Sequence, residues 1–391
     1  MYRITDLGTL GGPPPLGWDS KRPWKEGALA TAINDAGLVV GGSWTAPTPQ
    51  DLSQRYHAFL WNPSDPMVDL DLLHQWPWQT SVAFGLTGPS EADYPQVVGG
   101  SALLIQPPWG HAFCNNAFLL PQPEKLTDLD PDSPGAPDTY LTGIARGVNG
   151  AQVVGHTQPV RLHPSLQEQP SVAVFWDHFA PSPQPLATLG FPGSKAAAIN
   201  HKGEIVGRVA IDGANFVGCL WTSSKDSPQL LAPPQNGSNS QQSYARAINN
   251  AGQAVGVYGN DVGDDVSQPS KARYACLWRT DGPVPLVARE AEDLWTESIP
   301  PLSYAYGLND GGDIVGAYSP DLTDPATTVA FIYNKRWGGV PINLNDLIDP
   351  SFLWVLIEAR GINNKGEIVA EGNLKTNSKG PPHHAFLLSP I

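Results

Sequence analysis

One short phrase, A-x-[AG]-[ILV]-N, recurs along this chain, and its variable offsets collect the side chains best suited to act on a ligand. The x position reads Thr31, Phe84, Arg146, Ala197, Arg246, Tyr306 and Arg360, and two residues earlier the series is Leu29, Val82, Ile144, Lys195, Tyr244, Tyr304 and Glu358. Guanidinium groups grip carboxylate, phosphate or sulfate through paired hydrogen bonds, so Arg146, Arg246 and Arg360 are candidate anion ligands, with Lys195 as a further charge and Tyr304 as a packing and hydrogen-bonding partner. Glu358, Tyr244 and Tyr306 are the candidate proton-transfer groups if the site is catalytic. A second reading stands beside this one: the charges pair between repeats, Glu358 satisfying Arg360, because guanidinium is costly to bury alone.

The elements that must position these residues follow from the rest of the repeat. After the Asn comes a short Gly-containing turn and an apolar strand ending in V-G, as in "ARAINNAGQAVGVYG" from Ala245, which reads as a β-hairpin. The Asn position holds Asn34, Asn149, Asn200, Asn249, Asn309 and Asn363, with Thr87 in one degenerate copy, at separations from 49 residues (Asn200 to Asn249) to 62 (Thr87 to Asn149). A further strand with a small residue near its start follows: "HAFLW", "NAFLL", "VAVFW", "VGCLW", "YACLW", "VAFIY" and "HAFLL". A looser strand closes each unit: "MVDLDLL", "KLTDLD", "PLATLG", "PQLLAP", "VPLVAR" and "VPINLNDL", while "YRITDLG" stands alone at the N-terminus.

The last copy, "HAFLLSPI", therefore lacks an outer strand and the N-terminus has one to spare. Pairing the two closes a ring and hides a sheet edge. The expectation is an all-β, seven-bladed β-propeller of four-stranded blades spanning 1–391 as one domain, its N-terminal strand at residues 2–8 completing the C-terminal blade. An open solenoid is the alternative architecture, although its repeats are usually shorter.

Composition agrees with an all-β reading: 40 Gly, 40 Pro and 13 Trp in 391 residues mean many turns around a packed core. A net charge of -14 repels phosphate backbones and argues against nucleic acid. No run of about 18 apolar residues is present, so membrane insertion is not expected. Met1 leads directly into "YRITDLG" without a basic or apolar leader region, so no signal peptide is expected, and a mature exported chain would read the same way. Cys219 and Cys276 occupy the repeat position of Phe59 and Phe386 and read as inert core thiols.

Function should lie where long loops gather on one rim. These are "GTLGGPPPLGWDSKRPWKEG", "HQWPWQT", "GNDVGDDVSQPSK", "AREAEDLWTESIPPLS" and "IDPSFLW". Trp61, Trp176, Trp221 and Trp278 recur at one repeat position and belong to the core, whereas Trp76, Trp78, Trp295 and Trp354 do not recur and either cover blade ends or form an apolar, sugar-stacking mouth. Asp128, Asp130 and Asp132 alternate before Gly135 like a calcium loop, but the Gly is displaced and the bidentate Glu is missing, so no cofactor is expected, with a structural calcium at these aspartates as the minor alternative.

The alternation of "AINDAGLVVG", "HAFLW" and "DLGTLGG" resembles the HAF repeat family, whose members are largely described as probable extracellular repeat proteins. The resemblance implies a repeat-built fold and a surface or exported role, and supplies no catalytic residues. The triplet is complete at His57, His384 and, out of register, His111, and its His reads as structural. Three functions remain open: a recognition propeller binding a small molecule or glycan at its axial mouth, an enzyme using the same mouth, and a protein-interaction scaffold.

Overall fold

The computed structural model describes residues 1–11, 27–46, 55–70, 80–88, 95–105, 112–122, 125–128, 139–150, 152–161, 170–177, 183–212, 215–231, 242–259, 273–278, 291–293, 302–320, 327–334, 339–375 and 383–391. The described strands form four-stranded antiparallel sheets, seven in all, in a β-propeller arrangement with almost no helix. The inner strands, in chain order, are Ala28–Ile33, Thr80–Leu86, Thr139–Val148, Gly193–Ile199, Gln242–Ile248, Ser303–Leu308 and Trp354–Ile362. Each inner strand packs against the next in this order, and the last packs against the first.

In every sheet but the second, where Thr87 stands, the hairpin after the inner strand is built by an Asn. Asn34 Oδ1 accepts the N–H groups of Ala36 and Leu38, and Gly37 takes φ +83°, a left-handed conformation that glycine adopts without strain. The Asn amide also reaches outward: Nδ2 of Asn149, Asn200, Asn249 and Asn309 donates to the carbonyl of the next Asn in the series at 2.9–3.1 Å. Asn363 Nδ2 donates to Asn34 O at 2.9 Å and Asn34 Nδ2 to Thr87 O at 2.7 Å. Thr87 has no amide to pass the chain of bonds onward; its Oγ1 accepts from Gln96 N instead.

Glycine in V-G is required by a close approach. A Cβ on Gly256 would lie 2.0 Å from Tyr244 O, and one on Gly41, Gly155, Gly207 or Gly316 would meet the corresponding carbonyl equally closely. The reason is a bulge: in every inner strand the register shifts at the variable x residue, so that Ala-x faces one residue on the second strand. In the seventh sheet Ala370 replaces the glycine, and there a second irregularity appears, between Leu356 and Glu358.

Two further contacts tie sheet to sheet and motif to motif. Ser81, Ser194, Ser243 and Ser303 accept at Oγ the N–H of Ala58, Ala173, Gly218 and Ala275, the small residues of the preceding sheets' third strands. His57 and His384 of the HAF triplets hold Asp69 and Asp6 of the D-L strands through Nδ1 at 2.9 Å, the structural role expected of that His. Trp176, Trp221 and Trp278 are at most 1% exposed and Trp61 9%, each burial contributing roughly 2–3 kcal/mol. Cys219 and Cys276 are buried, and burial pushes the Cys219 thiol well above its ordinary pKa.

The N-terminal strand, Tyr2–Asp6, pairs antiparallel with His384–Pro390, from Tyr2 opposite Pro390 to Asp6 opposite Phe386. One expected strand is displaced. The outer strand of the fifth sheet is Ala291–Asp293, inside the segment read as the loop "AREAEDLWTESIPPLS", and not "VPLVAR", which falls outside the described residues. Asp293 stands opposite Cys276 as Asp69 stands opposite Phe59, so the Asp of the signature marks the strand. Among the described residues, no helix is long and apolar enough to cross a membrane.

Candidate functional site

The bulge aims the x side chain away from the regular pleat, and the two variable offsets come out on one side of the strand. Tyr304 and Tyr306 stack with centroids 5.9 Å apart and planes 4° from parallel. The Arg246 guanidinium lies 4.8 Å from the Tyr244 ring of its own strand and 5.8 Å from the Tyr306 ring of the next sheet. Arg360, from the seventh sheet, lies 5.3 Å from the same Tyr306 ring. Tyr306 is therefore flanked by two guanidinium groups from two different sheets. Arg146 stacks over Phe84 at 4.1 Å, the same offset in the preceding sheet.

The row opposite the earlier offset completes the site. Each second strand presents there the residue after V-G: Gly42, Gly100, His156, Arg208, Val257, Ala317 and Glu371. The third strand always places a small residue next to it, Ala58, Ala117, Ala173, Gly218, Ala275, Ala330 or Ala385, which leaves room for long side chains on that face. In the seventh sheet this row carries Glu358 beside Glu371, a like-charged cross-strand pair that is destabilising by itself. Arg360 spans it, its Nη2 2.5 Å from Glu358 Oε2 and 3.8 Å from Glu371 Oε2, and His383 Nδ1 meets Glu371 Oε1 at 2.6 Å.

Burial sets the protonation of this cluster. Glu358 is 9% exposed, and desolvation raises its carboxyl above the usual range; Glu371 adds to the rise while Arg360, Arg246 and His383 oppose it. Burial works against the charge of Arg360, yet Glu358, Tyr306 and Glu371 hold it more firmly protonated than an ordinary arginine. The Tyr306 phenol is pushed well above its usual pKa, by burial first and by Glu358 second, so it stays a neutral O–H. His383 is raised chiefly by its hydrogen bond to Glu371. Tyr56, half-buried near Glu371 and Arg360, is also raised, mainly by desolvation.

The Tyr306 hydroxyl and Arg360 Nε are buried without a hydrogen-bond partner among the described residues. A neutral hydroxyl donor between two guanidinium groups can bind an oxyanion or a polar oxygen, and the adjacent acid can exchange a proton with it. Tyr304 is held differently: its hydroxyl accepts from Arg273 Nη1, and Arg273 is 1% exposed.

The structure thus brings together Tyr244, Arg246, Tyr304, Tyr306, Glu358 and Arg360 of the sequence-derived candidates. Arg146 lies at the same offset two sheets before Arg246, on Phe84. Lys195 lines a separate cavity with Arg208 and Phe216. Trp354 packs inside the seventh sheet instead of forming a mouth, stacked on His384 at 4.4 Å and edge-on to Phe386 at 5.4 Å, because it starts the inner strand next to the HAF triplet. Trp76, Trp78 and Trp295, and the side chains of Asp128, Asp130 and Asp132, lie outside the described residues. Among the described residues, no group of three or more His, Cys, Asp or Glu could hold a metal ion.

Sequence reasoning missed Glu371, His383 and Tyr56. For Glu371 the signal was available: the residue after V-G varies as the x position does, and it stands directly across from the earlier offset. At the far end of the inner strands, a cavity of about 290 Å³ is lined by the aliphatic residues two beyond x, such as Ile199 and Ile248, and by the Asn series.

No family model and no curated protein matches this sequence. Among solved structures, the chain is similar to a Trypanosoma rangeli sialidase in complex with sialic acid, at 9% identity and a TM-score of 0.41 over 100% of this chain. The chain spans 59% of that sialidase's length. It is also similar to a protein of unknown function from Dyadobacter fermentans, at 10% identity and TM-score 0.43, over 99% of both chains. A third likeness is to a Penicillium chrysogenum alpha-L-arabinanase complexed with arabinobiose, at 11% identity and TM-score 0.35, over 100% of this chain and 98% of that one. At such TM-scores these likenesses carry no argument about this chain's chemistry.

Proposed function

We propose that this chain is a seven-bladed propeller of the HAF-repeat type that binds a small molecule or glycan at the axial mouth on its long-loop face, through an anionic or polar group. The seven sheets, each touching the next and closed by the bond from Asn363 to Asn34, support one ring. The observation that carries the binding reading is the Tyr306 hydroxyl, buried without a described partner and flanked by Arg246 and Arg360. A ligand carboxylate there would accept from the phenol and from guanidinium, replacing bonds that the fold leaves unmade. Tyr244 and Tyr304 would line the apolar part of the ligand.

The test is ligand-induced melting with glucuronate, galacturonate and glucose 6-phosphate against neutral glucose. The acidic sugars should raise Tm and glucose should not, and Arg246→Ala and Arg360→Ala should abolish the shift. Equal shifts in wild type and both variants would end this reading.

A second reading, catalysis in the same pocket, is favoured by Glu358, whose buried carboxyl lies beside Arg360 with its pKa raised toward the range of a general acid. It expects turnover of an acidic glycoside that Glu358→Gln removes while binding persists. Binding without turnover in wild type leaves recognition as the function.

A further inference from the structure

Glu371 is the one acid on its row; the other sheets place Gly42, Gly100, His156, Arg208, Val257 and Ala317 there. Its two oxygens are divided between two cations. Oε1 meets His383 Nδ1 at 2.6 Å, whereas Oε2 stands 3.8 Å from Arg360 Nη2, beyond hydrogen-bond length. Arg360 Nη2 is given to Glu358 Oε2 at 2.5 Å, and Arg360 Nε has no hydrogen-bond partner among the described residues. The guanidinium is thus only partly satisfied, and a small shift of Glu371 would reach it.

His383 precedes the last HAF triplet, at the place Tyr56 holds before the first. Its backbone is pinned between the seventh sheet and the first, because its carbonyl accepts from Ala28 N at 2.8 Å. Its side chain is 50% exposed against 12% for Glu371, so solvent protons reach the pair through the imidazole. Glu371, Glu358 and Arg360 act on His383, and Tyr56, Arg246, Tyr304 and Tyr306 face these carboxylates and the guanidinium from the first, fifth and sixth sheets. The neighbouring inner strand, Ala28–Ile33, brings no titratable side chain. Burial lifts the phenols of Tyr56, Tyr304 and Tyr306, which stay neutral, and the surrounding anions keep Arg360 charged. His383, raised chiefly by its hydrogen bond to Glu371, and Glu358, raised by burial, are the two groups moved toward neutral pH.

We propose that His383 and Glu371 form a proton-operated gate on the Arg246–Tyr306–Arg360 site: the imidazolium holds Glu371 aside and leaves Arg360 open to a ligand oxyanion, and the neutral imidazole releases Glu371 to Arg360. The proton passes from the imidazolium to solvent. Its loss also removes a positive charge beside the site, so both effects weaken anion binding as pH rises. The open form is complete below about pH 6.5 and is lost as pH rises through the raised value of His383. Protonation of Glu358 is a separate event that releases Arg360 Nη2 on its own titration. The gate rests on the reading of this cluster as the anion site, and one arm of its test is therefore made without ligand.

The first arm is nitrogen-15 NMR of the guanidinium groups in the ligand-free chain, with the Arg360 signal assigned by its loss in Arg360→Lys. The Arg360 Nε–H resonance should move between about pH 6 and about pH 9 with the midpoint of the His383 imidazole, and should stay fixed in His383→Gln. The second arm is calorimetric titration with glucuronate, whose carboxylate stays ionised over that range. Wild-type affinity should fall at least about five-fold from the lower pH to the higher. His383→Gln should give the weak value at both, and His383→Lys, which keeps the charge, the tight value at both. An Arg360 resonance that ignores the His383 titration, a wild-type affinity that does not change with pH, or a pH dependence retained in His383→Gln would each overturn the gate. A coupled resonance with no glucuronate binding at any pH would end the anion reading of the cluster and leave the link from His383 to Arg360 standing.

Discussion

Replacing Asn249 by alanine should be among the most damaging single polar substitutions in this protein. Asn249 is 4% exposed, and its Oδ1 accepts from Ala251 N at 3.1 Å and Gln253 N at 2.9 Å. Its Nδ2 donates to Asn309 O in the next sheet at 3.0 Å and to Gln253 Oε1 at 2.9 Å. Alanine removes the partner of two N–H groups and of one carbonyl, while the Gln253 amide can turn toward water. At about 1 kcal/mol for each net bond lost, the cost is roughly 3 kcal/mol. Asn249→Asp keeps both acceptors but turns the donor into an oxygen facing Asn309 O and Gln253 Oε1, so it should not recover the stability that alanine loses. Asn149→Ala supplies the control, because Asn149 is less buried and adjoins the sheet where Thr87 already interrupts the series. Urea unfolding followed by tryptophan fluorescence, with an unchanged slope, reads these differences directly. A cost below about 0.5 kcal/mol for Asn249→Ala, or a larger cost for Asn149→Ala, would refute the idea that the Asn series holds the sheets together.

Gly256→Ala should destabilise by about 3 kcal/mol or prevent folding, because its Cβ would meet Tyr244 O at 2.0 Å, whereas Ala370→Gly should be tolerated; both are measured by thermal melting. His383 has a folded-state pKa above its ordinary value, so the stability it contributes is complete below about pH 6.5 and is lost as pH rises through the raised value. His383→Gln should accordingly lower Tm at pH 6 and flatten the Tm profile between pH 6 and 8, and an unchanged profile would remove His383 from the cluster's electrostatics. Deleting residues 1–6 exposes the edge of His384–Pro390 and removes Tyr2 from a buried core; lower Tm and self-association on size exclusion are expected.

Local chemistry made much of the architecture readable. The Asn and Gly of each hairpin, the D-L of the outer strands and the surplus strand at the N-terminus act over a few residues or through a repeat, so their spacing in sequence is their spacing in space. The same reasoning misplaced the fifth outer strand, where "VPLVAR" carries the apolar residues and "AED" carries the Asp that pairs across to Cys276. Trp354 misled for a related reason: a tryptophan at a loop end is equally suited to a mouth or to the ring of a neighbouring His, and the choice depends on where the strand begins.

What the amino-acid order determined by itself is the unit and its count of strands, because turn preference and period-2 burial are properties of short segments. Which variable side chains meet was decided only by the tertiary structure. Arg246 and Arg360, at the bulged x position of two different sheets, both reach the Tyr306 ring, and the register across strands sets Glu371 against Glu358 and Arg208 against Lys195. These contacts join residues on different strands and different sheets, and burial then changes their protonation. Distance along the chain carries no record of either effect.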